Sequence, residues 1–432
     1  MEIPKLHKVF LQNRSIATDS RNISPGSIYF ALSGERFNGN DFALEALEKG
    51  ASYAVVDEPS LINTMGCIYV NDTLETLQKL GTFHRNHCKA TVISLTGSNG
   101  KTTTKELIYQ VLKTSYNTIA TVGNLNNHIG VPLSLLRIGE ETEFAVIEMG
   151  ANHQKEIAFL SELAQPDLGC ITNFGKAHLE GFGGVEGVIK GKSELYDYLI
   201  KHHKPILYNS QDPIQRDKIS AYANGISFGN AQGDTFSTEI KNSQTSVRFS
   251  FENTLIETSL YGAYNATNCM IAASIGAHFK IATSKIKQAI EAYLPNNNRS
   301  ELKKIGAHEV VLDAYNANPS SMEVAIAHFS ELSHEQHNNK IVFLGDMFEL
   351  GETAAREHQN IVFQLEKCKL QSVYLIGKHF HQTKHSFKSY PDFESFQKEQ
   401  SLLRLGPSLI LIKGSRGMAL ERIIPLIAKE NI

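Results

Sequence analysis

The segment from Ala90 to Leu112 constrains the fold more than any other. ATVISLTG (90–97) is a continuous apolar strand, and it runs through a glycine-containing turn into the helical stretch KTTTKELIYQVL (101–112). A strand with no polar face needs cover on both sides, and a strand that feeds a helix through a short turn opens a parallel arrangement. The pattern recurs at FAVIEMG (144–150), DLGCITN (167–173) and PILYN (205–209), with helical stretches between. This alternation predicts an α/β sheet, parallel, with helices on both faces. Over 233–261 the pattern changes: SVRFSFE alternates and TLIETSLYG repeats it, which reads as a small antiparallel insertion. Helices are expected again over 265–279 and 282–294.

Two further units flank this one. Before it, GSIYFAL (26–32), ASYAVVD (51–57) and CIYV (67–70) have strand character. FALEALEKG (42–50) reads as a short helix stopped by glycine, and DTLETLQKLGTFHRNH (72–87) as a helix with Asp72 or Thr73 as N-cap. After it, PNNNRS (295–300) is a turn-rich boundary. A second alternating series follows: HEVVLDAY, helix SSMEVAIAHFSEL, KIVFLGDM, helix TAAREHQNIVFQLEKC, SVYLIG, SLILIKG and helix MALERIIPLIAK. That series predicts a second open parallel domain. Three domains are expected, 1–88, 89–298 and 299–432, with ligand sites in the clefts between them.

The chain has 432 residues, a net charge of −3 and 20% charged residues. That balance argues against a nucleic-acid binder, which carries a basic excess. The five cysteines form no Cys-x-x-Cys pair, so neither a disulfide framework nor a structural zinc site is expected, and a reducing cytoplasm is the natural compartment. MEIPKLHKVF has no signal-peptide pattern, and no stretch approaches ~18 apolar residues, the length of a membrane span.

The clearest chemical signal is SLTGSNGKTTTKE (94–106). A turn of this kind, here Gly97, Ser98, Asn99 and Gly100, points several backbone N–H groups inward. The helix N-terminus adds partial positive charge and Lys101 a full one, which together suit a triphosphate. Thr102 or Thr103 would place a hydroxyl on a magnesium ion. The strict phosphate-loop pattern fails, because Leu95 stands where its first glycine belongs, and the shorter Thr-Gly-x-x-Gly-Lys-Thr remains. Glu148, His178 and Lys192 fall beyond strand ends or at a helix start, where ligands of open parallel sheets sit. Alone each reads as a surface group; together with the loop they suggest a magnesium site. A lysine could join it only after carbamylation. His202 and His203 read as surface loop, and His358 as a solvated helix face.

These motifs resemble the Mur ligase family. The shared elements are TGSNGKTTTKE (96–106), EMGANH (148–153), TNFGKAHLEGFG (172–183), GKSEL (191–195) and YGAYNATN (261–268). TDSRNISPGSIYFAL (18–32), GNLNNHIGVPLSLL (123–136), DAYNANPSSM (313–322), LGDMFELG (344–351) and KGSRGMALE (413–421) resemble the members that add D-alanyl-D-alanine to UDP-N-acetylmuramoyl-tripeptide. The resemblance implies three domains: an N-terminal one for the UDP substrate, a central phosphate-loop ATPase domain and a Rossmann-like C-terminal domain. It implies ATP and Mg2+ as cofactors and a monomer as the working form. Gly97 through Thr103 would hold the ATP phosphates, and Thr102, Glu148 and His178 the magnesium. Lys192 matches the lysine carbamylated in relatives, although Lys190 lies two residues earlier. Asn268 would approach the adenine, and Arg299 and Asp313 would complete the nucleotide site. Ser20 and Arg21 would belong to the uridine pocket, Asn124, Asn126 and Asn127 to the path of the muramoyl peptide, and Asn316 and Asn318 to the incoming dipeptide.

The implied reaction is amide formation through an acyl phosphate, in which Lys101 and magnesium offset the approach of two anions. Closure of the domains would shield that intermediate from water. A sister ligase, including a folylpolyglutamate-type enzyme, would take another amine. A non-catalytic nucleotide-binding scaffold need not keep Lys101, Thr102, Glu148, His178 and Lys192 together, and a simple ATPase or kinase would turn over ATP with no amine present.

Overall fold

The computed structural model describes residues 1–241, 246–295, 298–332, 339–399 and 405–428. Of the expected features, Asn296 and Asn297 of the boundary and Lys429 of the last helix lie outside them.

Three sheets organise the chain. The first has four parallel strands in the order Ile16–Ala17, Ile28–Phe30, Tyr53–Val56, Cys67–Tyr69. Helix Thr73–His87 covers it, and Asp72 is its N-cap, accepting the N–H of Glu75 at 2.7 Å. An N-terminal helix, Ile3–Asn13, not among the expected elements, buries Leu6, His7 and Phe10 against this unit.

The central sheet has nine strands. Its chemistry-bearing edge runs Leu168–Ile171, Thr91–Thr96, Phe144–Glu148, Thr118–Ala120, all parallel. Successive residues of Thr91–Thr96 serve opposite cores: Val92 packs with Ile147, Leu160 and Leu195, whereas Ile93 and Leu95 pack with Leu107, Ile108 and Ile271. This is why the strand carries no charged residue, its polar members Ser94 and Thr96 being small and buried. The antiparallel strands Phe236–Lys241, Ser246–Phe251 and Thr254–Tyr261 differ from a separate insertion. Phe236–Lys241 pairs in parallel with Gly225–Gly229, so they extend the same sheet.

The third sheet runs Glu301–Ile305, His308–Asp313, Ser408–Lys413, Asn339–Gly345, Ser372–Ile376, Lys388–Tyr390, parallel except for its first pair. The expected helix MALERIIPLIAK is broken. Ala419 takes a left-handed φ of 47°, and two 3-10 turns precede a short helix, Ile424–Ala428. One apolar cluster continues from Ile147 and Leu195 of the central unit into Val311, Ile326 and Leu344 of the third. No helix among the described residues is long and apolar enough to cross a membrane.

Candidate active site

The strand Thr91–Thr96 ends at a loop built around two glycines. Gly97 has φ 149° and Gly100 has φ 77°, and Gly100 is the N-cap of helix Lys101–Leu112. A Cβ on Gly97 would fall 2.0 Å from Thr172 Oγ1, and one on Gly100 would fall 2.5 Å from Asn268 Oδ1. The loop is therefore clamped between two polar side chains as well as left-handed in its backbone.

The segment after strand Leu168–Ile171 braces it. Ser98 N–H donates to the Asn173 carbonyl at 3.1 Å, and Asn99 N–H to Asn173 Oδ1 at 3.0 Å. Thr172 Oγ1 and Asn173 Nδ2 donate to the Asn99 carbonyl at 2.6 and 3.0 Å. Asn268 is buried; it accepts from Thr104 Oγ1 at 3.0 Å and donates to Asn265 at 2.8 Å. As placed, it supports the loop from beneath rather than facing an open cleft.

Lys101 folds back over the loop, and its Nζ donates to the Gly97 carbonyl at 2.8 Å. Burial pushes its ammonium below the ordinary lysine range, and Arg299 adds to this, while Glu148 works the other way. Thr102 and Thr103 are buried in the first helical turn.

Glu148 closes the neighbouring strand at 1% exposure. Its Oε1 accepts from Asn126 Nδ2 at 2.7 Å, and its N–H donates to Thr121 Oγ1 at 3.0 Å. Its Oε2 is buried with no hydrogen-bond partner among the described residues. A buried carboxylate oxygen beside a phosphate loop that lacks a donor fits a cation of oxygen-ligand chemistry. Beyond this, no cluster of three or more His, Cys, Asp or Glu suited to a metal occurs among the described residues. A cation there would thus draw much of its shell from phosphate and water.

Lys192 is fully buried, donates to the Ala151 carbonyl at 3.1 Å and lies 5.0 Å from the Phe182 ring centre. Burial, and then the Lys101 cation, hold its amine well below the usual range. Lys190, by contrast, is not buried. His178 sits at a left-handed φ of 53°, and its Nδ1 pairs with Glu349 from the loop after strand Asn339–Gly345. That bond draws the Glu349 carboxyl below its ordinary value.

The third unit reaches the loop at several points. Asn318 caps helix Pro319–Glu331 and donates to Asn99 Oδ1 at 2.7 Å. Lys176 N–H donates to Ser320 Oγ at 2.8 Å, and its Nζ lies 3.4 Å from the buried Glu357. The Arg299 guanidinium stacks 3.5 Å over Tyr315. Asp313 is committed to Lys413 Nζ at 2.6 Å and to Ser300 N–H at 3.1 Å.

The remaining expected residues are spread along the chain. Asn124 and Asn316 are exposed. Asn127 Oδ1 accepts from the Ile129 and Gly130 N–H groups at 3.1 and 2.9 Å in the turn ahead of the next helix. In the first unit Ser20 is buried, and the exposed Arg21 pairs with Asp19 at 2.7 Å. His202 and His203 are exposed as expected. His358 is a correction: it is fully buried, accepting from Met347 N–H at 3.0 Å and bonded to the Ala354 carbonyl at 2.7 Å. Its helix packs inward at that turn, beside Asp346. Sequence reasoning passed over Asn173, Thr172, Lys176 and Glu349, although TNFGKAH and LGDMFELG contain them. It also passed over Lys105, which is fully buried and donates to the Thr121 carbonyl at 2.7 Å.

A polar cavity of about 370 Å³ lined by Arg85, Asp167, Lys204 and Tyr198 lies apart from this site. Its charges are paired, Arg85 and Lys204 lying 2.7 and 3.0 Å from Asp167.

Comparison with known proteins matches this arrangement along the chain. Residues 14–87 match the Mur ligase family catalytic domain, 95–276 the Mur ligase middle domain and 298–416 the Mur ligase glutamate ligase domain. The UDP-N-acetylmuramoyl-tripeptide–D-alanyl-D-alanine ligase of Bacillus subtilis is 34% identical over 95% of this chain and 92% of its own. That of Escherichia coli is 31% identical over the same shares, 95% and 92%. The crystal structure of MurF from Acinetobacter baumannii superposes with TM-score 0.84 at 29% identity, covering 96% of this chain and 93% of its own. MurF ligase from Thermotoga maritima in complex with ADP gives 0.85 at 27%, covering 98% of each. On the strength of these matches and of the clamped loop they share a chain with, the protein belongs to the Mur ligase family.

Proposed function

We propose that the chain joins D-alanyl-D-alanine to UDP-N-acetylmuramoyl-tripeptide at the expense of ATP, giving the pentapeptide, ADP and phosphate in peptidoglycan precursor synthesis. The observation that carries this reading is the clamped loop at 97–103 beside Glu148, with the third unit already touching Asn99. The names of the similar ligases supply the substrates.

The tripeptide carboxylate attacks the γ-phosphorus. A new O–P bond forms, the bridging P–O bond breaks and ADP leaves. The dipeptide amine then attacks the acyl carbon, loses a proton and expels phosphate. The N–H groups of Ser98 and Asn99 being committed to Asn173, those at the start of helix Lys101–Leu112 hold the phosphates. Lys101 offsets the charge that gathers as the two anions meet, with Arg299 adding to the same field. Thr102, Glu148 and His178 would hold magnesium, which when bound neutralises phosphate oxygens. Lys192 would join them as a carbamate. Its burial favours the neutral amine, which is the form that combines with carbon dioxide.

The units 1–88, 89–298 and 299–432 divide the work in this reading. Ser20 and Arg21 face the uridine nucleotide, Asn124, Asn126 and Asn127 the muramoyl peptide and Asn316 the dipeptide. The setting is the cytoplasm and the working form a monomer. Incubation with ATP, magnesium, UDP-N-acetylmuramoyl-tripeptide and a panel of amines, followed by mass spectrometry, tests the proposal. A product with D-alanyl-D-alanine and none with free amino acids is expected, and multiple-turnover ADP release with neither the tripeptide nor any amine present would overturn it.

A further inference from the structure

We propose that Asn318 is a positioning residue whose side-chain amide latches the third unit onto Asn99, so that the phosphate loop takes its nucleotide-binding shape only when that unit is docked. The juxtaposition is direct: Asn318 Nδ2 donates to Asn99 Oδ1 at 2.7 Å, and Asn318 is buried.

The polarity of the pair is set from both ends. Asn318 Oδ1 accepts the Ser321 N–H at 2.9 Å, and Ser321 Oγ accepts the Asn318 N–H at 3.1 Å. With its oxygen committed to this capping box, Asn318 turns its nitrogen toward the loop. On the other side the Asn99 backbone is pinned by Thr172 and Asn173 through three bonds of 2.6 to 3.0 Å. The side chain of Asn99 is what remains to meet a neighbour. The next residues reinforce the register, since Ser320 Oγ accepts from Lys176 N–H at 2.8 Å and Gly175 leaves room for Ser320. Asn318 is thus spent on its helix and on the loop, and Asn316, which is exposed, is the freer of the two for a substrate.

The inference rests on the ligase reading only for the purpose of docking; the latch itself is read from nucleotide binding. Asn318→Ser keeps a capping acceptor of equal quality but removes the amide donor. The full chain with magnesium and a non-hydrolysable ATP analogue is titrated as wild type, Asn318→Ser, Asn99→Ala and the double variant. One neutral hydrogen bond corresponds to roughly a five-fold effect, so each single variant should bind about five-fold more weakly. The double variant should bind no more weakly than the weaker single one, with the thermal midpoint of Asn318→Ser close to wild type. Independent, multiplying losses would overturn the latch. So would analogue binding unchanged in Asn318→Ser together with a raised Michaelis constant for the dipeptide, which would place Asn318 on the substrate. An intact coupling in a protein that ligates nothing would instead count against the ligase reading alone.

Discussion

Gly97→Ala perturbs the loop at the point where the geometry leaves least room. The residue has φ 149°, and an added Cβ falls 2.0 Å from Thr172 Oγ1 and 3.1 Å from Thr172 Cβ. Thr172 cannot simply turn aside, because it is buried and its hydroxyl donates to the Asn99 carbonyl at 2.6 Å. The unfavourable backbone costs about 1 kcal/mol or more. Forcing a methyl group into a packed contact costs about 1–3 kcal/mol. Losing the buried hydroxyl bond adds about 1 kcal/mol. The low end of these together is about 3 kcal/mol, roughly a hundred-fold in an equilibrium constant. The clash sits in the loop that carries Lys101, so relief of it shifts the loop from its phosphate-binding shape and the cost divides between nucleotide affinity and folding. Calorimetric titration with ATP, alongside a thermal melt, separates the two. Thr172→Ala in the same background removes the nearest atom and should return about ten-fold of the lost affinity. Wild-type affinity in Gly97→Ala would refute the idea that the loop is clamped against Thr172.

Lys101→Ala should lower the ligation rate by about 100-fold or more, the scale of one preorganised electrostatic donor, and a loss under five-fold in steady-state kinetics would remove its assigned role. Lys192→Ala should abolish ligation and regain part of it with added acetate; full activity without acetate would dispose of the carbamate. Burial, with His84, His87 and Arg14 nearby, pushes His7 down from 6.5 to about 4. The folded chain therefore refuses a proton that the unfolded chain accepts between those values, so this stability is intact above about pH 6.5 and lost as pH falls toward about 4. The thermal midpoint should drop across that window, and less steeply in His7→Phe; parallel curves would refute the link.

What could be read from the residues alone was whatever rests on local pattern. Thr91–Thr96 is free of charge because both its faces are buried, and the Gly-x-x-Gly-Lys-Thr turn follows from chain geometry at its end, so both were legible. The helix Ile3–Asn13 was legible yet passed over: Ile3, Leu6 and Phe10 recur at helical spacing with Pro4 at the start. The last helix failed in the opposite sense: MALERIIPLIAK has good periodicity, but Ala419 turns left-handed and proline follows at 425. His358 was misplaced because its two hydrogen bonds, which allow a histidine to be buried, go to backbone atoms of Met347 and Ala354 and leave no mark in composition. Asn318 and Glu349 stood inside recognised motifs, yet their partners Asn99 and His178 are far away in sequence and become neighbours only when the third unit docks.

The site also shows how a phosphate loop is held by the protein's own side chains. Lys101 Nζ is turned onto the Gly97 carbonyl, and the Asn99 carbonyl is filled by Thr172 and Asn173. These bonds satisfy the Gly97 and Asn99 carbonyls, and a phosphate oxygen would take the place of the Gly97 and Ser98 carbonyls in the grip of Lys101. Glu148 is the exception. Its Oε2 is buried without a donor, a state that costs about 1–3 kcal/mol in general. A cation bound there would relieve that cost. The Gly97 and Asn99 carbonyls are thus met by the protein's own donors, whereas the acid beside them keeps a buried oxygen that a cation would complete.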